Sequence, residues 1–170
     1  MDETLPTGFR LDSSAGFFTF LPSRLGHVAA LDDATDCMLA VHSDYLSTTR
    51  SDQRTSRAKY VRAIRSLHTC LSDAATRTSS EAICAILLLG YNEVRKLALV
   101  KYGADDTKYF LGLSPGGFGS HVQGAYQLIQ IRGQATFNDD FEKSILHSNA
   151  SDIVSRPNIE DYPFLIQTVV

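Results

Sequence analysis

Residues 82–89 read AICAILLL, and no charge interrupts the chain until Glu93. Ile83, Ile86, Leu87, Leu88 and Val94 leave a helix over residues 79–100 almost no polar side. A helix apolar nearly all round needs other elements packed against it, so it belongs at the centre of a helical assembly. The run is far shorter than the roughly 20 apolar residues a bilayer crossing demands. Just ahead of it, Thr78 to Glu81 has the form of a capping box, with Glu81 placed to reach back to the Thr78 amide.

The partners for that central helix are written on either side. Leu25, Val28, Leu31, Met38, Val41, Tyr45 and Leu46 recur at helical spacing over residues 23–47, with Ser23 as the expected cap. Tyr60, Ile64, Leu67 and Leu71 lie four, three and four apart and predict a second helix over residues 57–75. A further helix is expected over residues 121–133, where Val122, Ala125, Tyr126, Ile129 and Ile131 form the apolar side. Gly133 stands where a left-handed C-cap belongs. Asn138 is placed to cap a short last helix through Phe141, Ile145 and Leu146. The expectation is an all-α protein, an antiparallel helical bundle or stacked helical hairpins of about five helices.

Three stretches flank or interrupt this pattern. Residues 1–23 read as an irregular arm whose aromatics pack onto the body, with a short strand conceivable over Phe17, Phe18, Thr19 and Phe20. Residues 24–150 form the helical domain, broken by polar residues 47–56 and by the glycine-rich loop 103–119. Residues 151–170 form a tail with the apolar ending PFLIQTVV, expected to pack on the domain or on a partner.

Composition narrows the chemistry. A formal net charge of −3 gives no field for nucleic acid, so direct DNA binding is not expected. Cys37, Cys70 and Cys84 contain no CxxC and sit in apolar helical patterns, which suits small buried hydrophobes. Among His27, His42, His68, His121 and His147, no pair has the spacing that puts two metal ligands on one helical face. The loop SPGGFGSH precedes a helix and could cradle a phosphate, but it lacks the Gly-Lys-Ser/Thr ending of a P-loop. No Gly-x-Ser-x-Gly occurs. No catalytic, cofactor or metal residues are therefore expected. Arg54, Arg57, Arg62 and Arg65 fall on one side of the second helix, either a solvated face or a surface for an acidic partner.

His121, Gly124, Ala125, Leu128, Arg132 and Gly133 make up a helix that opens on His, continues with Gly-Ala and Leu, and closes on Arg-Gly. That pattern resembles the fungal-specific transcription factor regulatory domain, the helical region that follows the zinc cluster in many fungal regulators. The preceding helix pair is similar too, with Glu93 closing the leucine-rich run and Tyr91 two residues before it. The similarity covers residues 25–133, the first half of such a domain, and Phe118 stands where that family places Trp. Three cysteines cannot supply the six ligands of its two-zinc cluster.

The resemblance implies an entirely helical fold and a nuclear, intracellular location. It also implies a structural role for Glu93, His121, Gly124, Ala125, Arg132 and Gly133. Gly124 is expected to admit a close neighbouring helix, and Arg132 to bond to Glu93 or to a nearby carbonyl. His121 is expected to tie the helix start to the preceding loop. The functional expectation is a non-enzymatic regulatory or interaction domain acting through protein contacts, self-association or a small effector. The alternative is a small-molecule enzyme or ligand-binding protein with a pocket between helices, built from converging titratable groups.

Overall fold

A computed structural model describes residues 13–46, 53–101 and 117–154. Residues 1–12, 47–52, 102–116 and 155–170 lie outside the described residues; of the expected loops 47–56 and 103–119 and the tail 151–170, residues 53–56, 117–119 and 151–154 are helical instead. Within the described residues the protein is all-α. A 3-10 helix, Ser13–Phe20, runs into a single turn, α1 (Leu21–Arg24). Then come α2 (Ala29–Leu46), α3 (Gln53–Ser72), α4 (Ser80–Lys101) and α5 (Gly117–Arg132). A 3-10 turn, Gln134–Thr136, leads to α6 (Asp140–Val154). The expected five helices become six because the first is divided. Gly26, at φ +84, breaks the chain between α1 and α2, and its N–H donates to Asp32 Oδ1 at 2.8 Å. Ser23 therefore lies inside α1 rather than capping α2, and its hydroxyl donates to the Phe20 carbonyl.

The core is built as the apolar run demands. Residues 82–90 of α4 are all buried, with Ile83, Leu88 and Leu89 fully enclosed. Leu31, Ala34, Cys37 and Val41 of α2 and Ala63 and Leu67 of α3 pack on it. Ala125 and Ile129 of α5 and Phe141 and Ile145 of α6 complete the same cluster. Each buried Leu or Ile contributes about 1.5–3 kcal/mol relative to exposure, so the central helix supplies much of the driving force. The aromatics before α1 join in as a helix and not as a strand. Phe17 is fully buried, stacks on Phe18 at 4.7 Å and faces Tyr91 of α4.

Local caps set the helix starts. Ser79 caps α4 by accepting from the Ala82 amide at 3.1 Å. Glu81 does not reach back to Thr78 but turns to Arg24, 3.5 Å away. The reciprocal box sits instead at α6. The Glu142 amide donates to Asp139 Oδ1 at 2.7 Å, while Glu142 Oε2 accepts from the Asn138 amide at 2.7 Å and the Asp139 amide at 3.3 Å. Asp139 is thus the cap, one residue later than expected.

Candidate functional site

Glu93 lies near the middle of α4 with its side chain only 6% exposed, and α3 and α5 converge on it. The Tyr60 hydroxyl of α3 donates to Glu93 Oε1 at 3.0 Å, and His121 Nε2 of α5 lies 3.1 Å from the same oxygen. Burial, then the charge of Glu93, pushes the Tyr60 phenol well above its usual range, so it stays a hydrogen-bond donor. Beside this group the fully buried Asn92 donates to Cys37 Sγ of α2 at 3.7 Å. Among the described residues, three buried oxygens, Glu93 Oε2, Asn92 Oδ1 and Thr35 Oγ1, find no hydrogen-bond partner. Consecutive residues of α4 thereby address α2, α3 and α5 together. His121 thus meets a carboxylate of the helix just before its own, and the preceding loop to which it was expected to tie lies outside the described residues.

A second polar cluster sits at the opposite end of α5. Arg132 does not reach Glu93. Its guanidinium donates to Ser80 Oγ at 2.6 Å, to the Thr78 carbonyl at 3.5 Å, to Thr136 Oγ1 at 3.2 Å and to Glu142 Oε1. It also lies 4.1 Å from the Phe137 ring centroid. Ser80 donates in turn to Glu142 Oε1 at 2.6 Å. Burial works against the Glu142 anion, but the bonds from Ser80, Arg132 and the Asn138 and Asp139 amides outweigh it and hold its pKa down to about 2. Arg24 extends the cluster by pairing with Asp139 and Glu81 and lying over the Phe141 ring.

The two clusters pin α5 antiparallel to α4. Its His end meets Glu93 and its Arg end meets Ser80, at the start of α4. Gly133 leaves α5 at φ 88 and ψ 123, so positive φ is required. Its ψ is too large for the left-handed helical cap expected there, and the chain turns straight into the 3-10 segment. Ala125 is fully buried on the seam. Gly124 is not a close-approach point, since among the described residues no heavy atom lies within 4 Å of where a Cβ would stand.

The arginines separate into two groups. All four are exposed on α3. Arg62 is spent at the seam with α2, where it meets Asp33 at 2.8 Å and Asp36 at 2.6 Å, beside Lys59 on Asp36 at 2.6 Å. Ser66 donates to Asp33. The Lys59 hydrogen bond leads in holding the Asp36 carboxyl below its usual range. Arg57 and Arg65 take no part in these pairs, and Arg57 lies on the side of α3 turned from this seam. Inspection for motifs misses the charge segregation behind it: α2 carries Asp32, Asp33, Asp36 and Asp44 with no Lys or Arg, while α3 carries Lys59 and the four arginines with no acid.

Among the described residues, no group of three or more His, Cys, Asp or Glu side chains is placed to hold a metal ion. None of the described helices is long and apolar enough to cross a membrane. A depression of about 250 Å³ opens on the outer side of α2, lined by Leu25, Gly26, Asp32, Thr35, Asp36 and Leu39. No known protein family, curated protein or solved structure matches the chain.

Proposed function

We propose that this chain is a non-enzymatic helical regulatory domain, similar to the first part of a fungal transcription factor body. In this reading it is nuclear and works through protein contacts without a DNA-reading module of its own. One observation carries the proposal. Glu93, His121, Arg132 and Gly133, which bear the sequence resemblance, are the residues that fasten α5 to α4 or turn the chain out of it. Residues that act on architecture in this way suit a scaffold for partner contacts. The test is to fuse the chain to an unrelated DNA-binding module and measure transcription of a reporter carrying that module's sites. Output should change several-fold relative to the module alone. Identical output from the two proteins would defeat the proposal.

The second reading, a small-molecule enzyme or ligand-binding protein, draws on the Tyr60, Glu93 and His121 group, since a His beside a carboxylate is the usual start of acid–base chemistry. It needs that group to meet solvent. Acylation of native protein with a histidine-selective reagent, located by mass spectrometry, separates the two. Slow reaction at His121 relative to the exposed His68 fits the scaffold, and fast reaction at His121 favours the second reading.

A further inference from the structure

The α2–α3 hairpin has an outer surface on which opposite charges lie side by side. Contacts of Cys37 with Asn92 and of Tyr60 with Glu93 place α4 behind both helices, and Arg62 with Asp33 and Asp36 holds the two edge to edge. On α3, Arg57, Val61 and Arg65 follow one another at four-residue intervals, a line about 12 Å long facing away from α4. Val61 is 39% exposed, and among the described residues the guanidinium groups of Arg57 and Arg65 have no hydrogen-bond or ion-pair partner. On α2 and the turn before it, the depression has the converse character. Leu39 and Leu25 are 58% and 39% exposed, and the lining includes Asp32 together with Asp36, which pairs with Lys59 and Arg62. The buried hydroxyl of Thr35, without a partner among the described residues, lies in its wall. Apolar surface flanked by cations thus sits beside apolar surface flanked by anions, on one face of one hairpin.

We infer that this face pairs with the same face of a second copy of the chain. The Arg57–Val61–Arg65 line of each copy seats against the Leu25–Leu39 depression of the other. A two-fold axis between α2 and α3 brings both contacts together at once, because each copy offers both halves. Val61 meets the leucines, and the flanking arginines meet Asp32, since Asp36 is already held by Lys59 and Arg62. The internal seam already spends Lys59 and Arg62, and Arg57 and Arg65 are the cations that flank Val61. A partner of another kind would have to reproduce both signs in this order, and the chain itself supplies them. This inference rests on the reading of the chain as an interaction domain and names one partner for it.

Light scattering after size exclusion, in low-salt and high-salt buffer, tests it. At low salt the mass should be twice the 18.7 kDa of one chain, falling toward one chain as salt rises. Arg57→Glu/Arg65→Glu and, separately, Leu39→Arg should each give single chains with an unchanged helical circular dichroism spectrum, since none of these side chains is in the core. An equimolar mixture of the two variants should regain a two-chain species, because one of its two contacts is intact. A single-chain wild type at both salts overturns the pairing, as does a mixture that stays single when the wild type is paired, or variants that stay paired. A failed reporter test with paired wild type would reject the regulatory reading and leave the pairing in place.

Discussion

His121 and Tyr60 both serve a carboxylate that is almost out of water, but they are not equal. Replacing His121 with Ala removes one of the two described partners of Glu93 and leaves its buried carboxyl group held by the Tyr60 hydroxyl. A cost of about 3–5 kcal/mol is expected for opening such a pair. Tyr60→Phe removes one hydrogen bond and keeps the ring, with an expected cost of about 1–3 kcal/mol. Urea unfolding of the two variants and their double mutant checks the order. A Tyr60→Phe cost at or above that of His121→Ala would show that Glu93 leans on the phenol instead. The glycines give an opposite pair. Gly124→Ala should stabilise by up to about 1 kcal/mol, because the site is helical and has room for a methyl group. Gly133→Ala should destabilise by about 1 kcal/mol or more, because φ 88 disfavours a side chain. Thermal melts of both should move in opposite directions.

The pole where α4 begins, α5 ends and α6 begins depends on the ionised Glu142. Its pKa is lowered to about 2 in the folded protein. The stabilisation is therefore fully present above the ordinary carboxylate range near about 4.3. It is lost as pH falls from there toward about 2. Urea midpoints measured across that window should decline for the native protein and decline less for Glu142→Gln, which cannot titrate. Equal slopes would place the acid sensitivity in other carboxylates. Helix existence was readable at this scale because periodicity depends on burial alone. Helix ends were less so. Ser79 against Thr78, and Asp139 against Asn138, differ by one step along the chain, and only the tertiary partners decide. Arg24 draws Glu81 away from the first box, whereas Arg132 and Ser80 take Oε1 of Glu142 and leave its Oε2 to the second. Glu93 and His121 were legible as signature positions, but their contact was not, because the loop between them hides the register of α5 on α4. Tyr60 looked like one more apolar stripe residue, and its hydroxyl gave no sign of its target.

Across the molecule, polar contacts and apolar contacts divide the labour. The apolar run of α4 drives collapse without regard to direction. The polar pins at Glu93 and at Ser80 fix which way α5 lies along α4, and the ion pairs of Asp33 and Asp36 fix α3 beside α2. Burial of Cys37, Cys70 and Cys84 within this single core has an experimental use. All three thiols are shielded, and burial also pushes the Cys84 thiol well above its normal range, away from the reactive anion. A thiol-labelling reagent should then modify the folded chain only as fast as helices part to admit it. Labelling rates at Cys37, on α2, and Cys84, on α4, would report whether those helices separate together or one before the other.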